Sequence, residues 1–213
     1  MGIDPNTRGP ETVDVGPPIK SIPNEVAGAL SSAVARGQRT VVMTCGISGS
    51  GKSTLAKSIT EAFPSFIRFS IDQYMFEHHG IYGRDFPPEL YEPYQDEAEA
   101  ALKGQLRQIL TTGSNDIVLD YSFWCRKTRD EYRAIVDAEG AGLYQVILVS
   151  FRASEETLWE RIEKREAERV RRETEGSAPD RDPGYKVSRD VLRSYVNGFE
   201  FPQDEGEIIV MVE

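Results

Sequence analysis

The feature that most constrains the fold is the stretch at residues 46–53, which reads GISGSGKS and fits the pattern GxxxxGK[ST]. An apolar run beginning at Thr40 precedes it, and a pattern typical of a helix follows from Ser53. Glycines at such spacing let backbone N–H groups approach a polyphosphate, and the following helix directs its positive end at the same anion. The stretch therefore predicts a phosphate-binding loop between a strand and a helix.

The side chains of this loop predict the ligands as well as the turn. Lys52 is expected to reach the β and γ phosphates of ATP, and the Ser53 hydroxyl to ligate Mg²⁺. ATP and Mg²⁺ are accordingly the predicted cofactors. A glycine-rich turn that binds no ligand is the alternative interpretation. The predicted nucleotide contacts in the loop are Gly46, Ser48, Gly49, Ser50, Gly51, Lys52, Ser53 and Thr54.

Five short apolar runs bounded by polar or turn residues predict buried strands, and helical patterns lie between them. The runs are TVVMT from Thr40, FIRFS from Phe66, IVLDY from Ile117, VILVS from Val146 and IIVMV from Ile208. Strands that alternate with helices imply right-handed crossovers and a mostly parallel sheet covered on both faces. The fold class is therefore α/β with three layers.

Length and charge limit the organisation and the partners. The chain has 213 residues, enough for one domain, and its proline-rich residues 1–22 read as a disordered lead-in that is partly an expression tag. We expect one P-loop domain over residues 23–213. The net charge of −10 disfavours a broad electrostatic grip on nucleic acid. Because no apolar run approaches the roughly 20 residues of a membrane span, we expect no membrane partner and a cytoplasmic protein.

Several classes of P-loop protein are disfavoured by missing motifs. Switch GTPases recognise guanine through an NKxD-type motif, and no such motif occurs in the chain. AAA+ and motor ATPases usually carry an apolar strand that ends in Asp-Glu. Here the apolar run IVLD ends at Asp120, and the next residue is Tyr121 rather than a carboxylate that would activate water. Hydrolysis as the main reaction is therefore disfavoured, and transfer of the phosphoryl group to another acceptor remains.

Two carboxylates after predicted strands are candidates for the chemistry. Asp72 follows the second strand at the edge where open α/β sheets bind ligands, and we predict that it takes the proton of an acceptor hydroxyl. The alternatives are that Asp72 caps a short helix or holds Mg²⁺ through water. Asp120 is predicted to orient Mg²⁺ beside the P-loop, the alternative being a strand-end turn residue.

A later segment, LWERIEKREAERVRRE, places arginines on one face of a predicted helix. Arg161, Arg165 and Arg169 recur at a spacing of four, which aligns them along that face. A solvated helix with ion pairs between neighbouring turns is the commonplace interpretation. Taken together, the arginines and the loop-like residues after them predict a lid at about 161–187 that closes over ATP, with Arg165 stabilising charge on the transferring group.

With these features the chain resembles the small P-loop kinases of the zeta-toxin, chloramphenicol-phosphotransferase and polynucleotide-kinase kind, and within them the AAA_33 type. The resemblance extends from about residue 40 to 207 and rests on GISGSGKSTLA, RFSIDQYM, DIVLDYSFWCRKTRDEYR, LWERIEKREAER and YKVSRDVLRSYVNGFEFPQDE. It implies an adenylate-kinase-like fold with a lid and the strand order 2-3-1-4-5.

The resemblance also implies roles for individual residues. Asp72 matches the aspartate that activates the acceptor, while Arg161 and Arg165 match lid arginines that meet adenine and phosphates. Pro202 is implied to lie near the adenine, and Arg126 to face the acceptor.

The acceptor is expected to contact residues 74–94 and 122–129. The first of these segments carries Tyr74 among several aromatic residues and Arg84 as its basic residue, which favours a neutral or weakly charged alcohol. His78 and His79 are interpreted as loop residues. The sequence specifies neither the acceptor nor an oligomeric state.

Three functions agree with these patterns. The first is an ATP-dependent kinase acting on a hydroxyl of a small molecule. The second is a 5′-hydroxyl kinase of nucleic-acid ends, disfavoured by the net charge. The third is a non-catalytic, nucleotide-dependent binding module or toxin-like regulator.

Overall fold

The computed structural model describes residues 22–176 and 187–213. In these ranges the strands are β1 (Arg39–Cys45), β2 (Phe66–Phe69), β3 (Asp116–Leu119), β4 (Tyr144–Arg152) and β5 (Ile208–Met211). The α-helices are α1 (Asn24–Ala35), α2 (Lys52–Ala62), α3 (Ile71–His79), α4 (Tyr91–Thr112), α5 (Arg126–Glu139), α6 (Glu155–Thr174) and α7 (Arg189–Gly198). A 3₁₀ turn at Pro88–Leu90 leads into α4.

The strands form one parallel sheet in the order β2-β3-β1-β4-β5, which confirms the predicted fold class and strand order. β1 lies in the centre and pairs with β3 through Val42 and Val118, and with β4 through Val42 and Ile147. Because all the strands run in one direction, the residues that come after β1, β2, β3 and β4 meet at a single edge of the sheet. Lys52, Asp72 and Asp120 follow β1, β2 and β3 at that edge, and Arg165 lies further along α6, the helix after β4.

Helices cover both faces of the sheet, as a parallel sheet requires. On one face, Val41 and Met43 pack with residues of α4, α5, α6 and α7. On the other face, Val42 packs with residues of α1 and α2. Successive residues of β1 therefore face opposite cores, which explains why this strand reads as a continuous apolar run rather than an alternating one.

Two predicted segments fall partly outside the described residues. Of the predicted lead-in at residues 1–22, only Ile22 is described, and it packs with the core formed by α1 and α2. Of the predicted lid at 161–187, residues 161–176 belong to or directly follow α6, and residues 177–186 lie outside the description.

Candidate active site

The loop between β1 and α2 has a backbone that only glycine adopts easily. Gly49 and Gly51 have φ of 85° and 101°, in the left-handed region that disfavours other residues. A Cβ on Gly49 would lie 2.9 Å from the backbone oxygen of Leu158 in α6. The absence of side chains thus serves two purposes, because it permits the turn and lets α6 pack directly on the loop.

Within the part of the chain that the structure describes, the N-terminus of α2 has no side-chain cap. Its N-cap is Gly51, which makes no side-chain cap, and its first turn contains no acidic residue. The hydroxyl of Ser50 is buried in the loop without a hydrogen-bond partner in the described structure. Free amide donors at a helix N-terminus attract anions, so the loop fits a polyphosphate.

Lys52, the first residue of α2, brings the catalytic candidates together. Its Nζ donates a hydrogen bond to the carbonyl of Ile47 at 3.1 Å. Burial lowers the pKa of the Lys52 ammonium, whereas the nearby charges of Asp120 and Asp72 raise that pKa, and Arg165 lowers it further. Three residues from different elements therefore lie close enough to Lys52 for their charges to act on it.

Asp72 lies in the first turn of α3, at the carboxyl end of β2, and its side chain is exposed. The N-cap of α3 is Ser70, whose hydroxyl accepts a hydrogen bond from the backbone of Gln73 at 3.3 Å. The alternative in which Asp72 is the cap is therefore wrong, because Ser70 occupies that position. Asp72 is an exposed residue whose negative charge acts on Lys52.

Asp120 follows β3 directly and is buried. Its Oδ2 accepts hydrogen bonds from two nitrogens of Arg68 in β2, with Nε at 3.0 Å. The sequence patterns assign no role to Arg68. The only signal for it was a guanidinium within the apolar run FIRF, since a charge inside a buried strand requires a partner.

A Mg²⁺ site beside the P-loop needs few ligands from the protein. Mg²⁺ at phosphoryl-transfer sites is held by one or two protein oxygens together with the phosphates of the nucleotide. Ser53 in the first turn of α2 and Asp120 beside Lys52 supply oxygens of the required type. Among the residues that the structure describes, no group of three or more His, Cys, Asp or Glu side chains is placed to hold a metal.

The arginines of α6 have different environments. Arg161 donates through Nη2 to the backbone oxygen of Glu213 at 3.0 Å. Arg165 is exposed and lies near Lys52. Arg169 is bound by Glu166 and Glu173 on its own helix, each at 2.6 Å. The commonplace interpretation, a helix of internal ion pairs, therefore describes Arg169 but not Arg161.

A cavity of about 250 Å³ adjoins the P-loop on the side of Arg161. Its lining includes Ser50, Gly51, Thr54, Phe151 and Arg161, together with the end of β5 and the two residues after it, from Val210 to Glu213. Pro202 is not among the lining residues; it is buried, and its carbonyl accepts a hydrogen bond from Nη2 of Arg152 at 2.9 Å. The end of β5 was not predicted to belong to the site, because its residues carry no motif that would mark it.

The residues predicted to bind the acceptor lie on separate elements. Tyr74 is half-buried in α3, and its ring stacks on His78 with centroids 3.8 Å apart. Arg84 is 59% exposed and pairs with Asp85 at 2.9 Å. Arg126 begins α5, is 55% exposed and pairs with Asp130 at 3.4 Å. Each of these guanidinium groups already has a carboxylate neighbour.

The two histidines were wrongly interpreted as loop residues. His78 and His79 form the last turn of α3. The ring of His79 stacks on Tyr94 with centroids 3.6 Å apart, and its Nε2 lies 3.3 Å from Oε2 of Glu97. Stacking of both rings on tyrosines extends the helix through residues that, taken singly, favour neither helix nor loop.

Comparison with known proteins agrees with this geometry. A family model described as an AAA domain, AAA_33, matches residues 41–181, about two thirds of the chain.

No helix within residues 22–176 and 187–213 has the length and apolar character needed to cross a membrane.

Solved structures share the fold at low sequence identity. A candidate kinase from Chloroflexus aurantiacus has a TM-score of 0.60 and 20% identity, with 82% of this chain and 88% of that chain covered. Kti12 from Chaetomium thermophilum, in complex with ADP-AlF3, has a TM-score of 0.52 and 15% identity, with coverage of 80% and 88%. A chain of the Pnkp1/Rnl/Hen1 RNA repair complex has a TM-score of 0.52 and 16% identity, with coverage of 76% and 44%. These likenesses show that the chain shares the fold of these proteins.

Proposed function

Because the chain belongs to the AAA_33 family of P-loop proteins, we propose that it is a phosphotransferase that uses ATP and Mg²⁺ to phosphorylate a hydroxyl of a small molecule. The observation that carries this proposal is the grouping of Asp72, Asp120 and Arg165 around Lys52. A protein that only bound nucleotide would need the loop and the lysine, but not an exposed carboxylate beside them. The exposed Asp72 gives the site a group that can take a proton.

The proposed step transfers one phosphoryl group and one proton. The acceptor oxygen forms a bond to the γ-phosphorus as the bond between that phosphorus and the β–γ bridging oxygen breaks, releasing ADP. The hydroxyl proton passes to the carboxylate of Asp72. Lys52 and Arg165 stabilise the negative charge on the transferring group. Mg²⁺, held by Ser53 and Asp120, would neutralise charge on the phosphates.

Hydrolysis is a poorer fit because of the residues at the end of β3. Asp120 is bound by Arg68, and the next residue, Tyr121, is buried. Burial raises the pKa of the Tyr121 phenol far above its ordinary value, so this residue stays neutral and takes no proton from water. Asp72 therefore remains the favoured base, and it lies where an external acceptor can reach it.

The acceptor is proposed to be neutral or weakly charged. Recognition of a phosphorylated acceptor relies on guanidinium groups that can form bidentate contacts with phosphate. The two arginines predicted to face the acceptor, Arg84 and Arg126, are paired with Asp85 and Asp130. A sugar, nucleoside or similar alcohol needs fewer contacts from these arginines than a nucleoside monophosphate does.

The test is transfer of label from γ-labelled ATP, with Mg²⁺, to a metabolite extract and a panel of hydroxyl compounds that includes 5′-hydroxyl oligonucleotides. Asp72→Asn should abolish labelling of the acceptor while ATP still binds. Asp137→Asn, at an exposed position of α5, is the matched control and should label normally.

Each alternative function has its own outcome in this experiment. Label in oligonucleotides, with binding that weakens steeply with salt, would support a nucleic-acid kinase. ATP binding without transfer to any acceptor, together with a copurifying protein, would support a nucleotide-dependent binding module. Near-normal turnover of Asp72→Asn would remove Asp72 from the mechanism.

A further inference from the structure

Arg68 is an unusual residue for its position. It lies in the middle of β2, and its side chain is only 9% exposed. A buried guanidinium is costly unless its donors are satisfied. Nε and Nη2 of Arg68 bind one oxygen of Asp120, and Nη1 donates to Oε1 of Gln73 at 2.8 Å. One side chain thus joins the end of β3 to the first turns of α3.

The contact with Asp120 matters because of the lysine beside it. The side chain of Asp120 is 2% exposed, its carboxylate is bound by Arg68, and its negative charge acts on the Lys52 ammonium. Without Arg68, Lys52 would be the cation left to compensate a buried carboxylate. A lysine committed to Asp120 would be less available to the phosphates of a nucleotide.

The contact with Gln73 reaches the other carboxylate of the site. Gln73 follows Asp72 directly, its backbone N–H binds the Ser70 cap, and its side chain also donates to Glu77 at 2.8 Å. Hydrogen bonds of both the backbone and the side chain of Gln73 thereby hold the first turns of α3 in place. Arg68 therefore contacts the residue next to Asp72 as well as Asp120 itself.

We infer that Arg68 is a positioning residue of the nucleotide site, which keeps the Asp120 carboxylate away from direct pairing with Lys52 and ties it to the turn that carries Asp72. The expected effect of Arg68 on turnover rests on the proposed phosphotransferase function. The expected effect of Arg68 on nucleotide binding does not depend on turnover.

The experiment compares binding of a fluorescent ADP analogue with and without Mg²⁺ in four variants. Arg68→Met removes the cation and keeps most of the volume. Arg68→Met with Asp120→Asn also removes the carboxylate left behind. Arg68→Lys keeps the charge without the planar fork. Arg39→Met is the matched control, because Arg39 and Asp116 form a second arginine–aspartate pair between β1 and β3, 3.3 Å apart, at the opposite edge of the sheet.

In the absence of Mg²⁺, Arg68→Met should bind the analogue about 10-fold more weakly, because a Lys52 that pairs with Asp120 gives up a charge-assisted hydrogen bond to phosphate, a contact worth about 10- to 100-fold in affinity. The double variant should regain affinity, because no carboxylate then competes for Lys52. Arg68→Lys should bind nearly as the wild type does. Phosphoryl transfer by Arg68→Met at saturating ATP should fall within the same about 10- to 100-fold range.

Two results would overturn the inference. One is wild-type binding by Arg68→Met, and the other is no recovery in the double variant, which is what a purely structural role predicts. Loss of binding in Arg39→Met equal to that in Arg68→Met would have the same meaning. If Arg68→Met does not fold, Arg68→Lys decides, because a loss of binding with the charge retained contradicts the proposed role. Failure of the wild type to transfer phosphate would refute the proposed function and leave the binding comparison valid.

Discussion

Replacing Glu205 with Gln should destabilise the fold by about 3 kcal/mol near neutral pH, as the pKa of this carboxyl group indicates. The Glu205 side chain is 2% exposed and lies between two arginines of α5, with Nη2 of Arg129 at 2.6 Å and Nη1 of Arg133 at 2.8 Å. Arg129 is itself fully buried and also donates to the backbone oxygens of Phe123 and Glu200. This cluster joins the segment before β5 to α5 and to the turn after β3.

The magnitude comes from the size of the pKa change. The hydrogen bond from Arg129, with that from Arg133, lowers the pKa of Glu205 from 4.5 to about 2 against the opposing effect of burial. A fall of about 2.5 in pKa corresponds to about 3 kcal/mol at about 1.36 kcal/mol for each pKa unit. Removing one partner of a buried ion pair costs about 3–5 kcal/mol, which agrees with that value.

The pH dependence has a definite sign. Because the pKa of Glu205 is lower in the folded state, its contribution to stability is complete above pH 4.5. That contribution is lost as the pH falls from 4.5 toward 2. The difference in unfolding free energy between wild type and Glu205→Gln should therefore be largest near neutral pH and shrink in acid.

Urea unfolding followed by circular dichroism at neutral pH and at several lower pH values measures both effects. Glu163→Gln, at an exposed position of α6, is the control and should lie within about 0.5 kcal/mol of the wild type. A loss below about 1 kcal/mol for Glu205→Gln at neutral pH would refute the reasoning, given the cost expected for a buried pair. A difference that stays constant with pH would refute it equally.

Three further predictions concern the P-loop and its cavity. Lys52→Ala should weaken ATP binding by about 10- to 100-fold, the value of one charge-assisted hydrogen bond to phosphate, as measured by titration calorimetry. Gly49→Ala should both lower the melting temperature and weaken ATP binding, because its φ is 85° and the new Cβ would approach the Leu158 oxygen; normal behaviour in both measurements would contradict this geometry. Arg161→Met should raise the KM for ATP with little change in kcat, since Arg161 lines the cavity beside the loop; an equal fall in kcat and kcat/KM would instead assign it to the transition state.

Several site residues could not be identified from sequence because their roles depend on distant partners. Arg68 and Asp120 lie on or directly after neighbouring strands but are separated in the chain by the whole of α3 and α4. Glu205 is one of many acids in the sequence, and only the packing of α5 against the segment before β5 buries it between two arginines. The end of β5 lines the cavity beside the P-loop because β5 is the strand next to β4, a contact that no local pattern encodes.

The class of fold and the phosphate loop could both be predicted from sequence. Alternating apolar runs and helical patterns leave a parallel sheet as the arrangement that buries both faces, and the GxxxxGK[ST] spacing requires a turn built on backbone amides. Both are local properties, governed by period and by steric freedom. The pairing of charges, in contrast, is settled only on folding: Arg68 with Asp120, Arg129 with Glu205, and Arg169 with its own helix rather than the nucleotide side. The physical reason is that the energy of a charge depends on its burial and on the nearest opposite charge, and the packing of distant segments creates both.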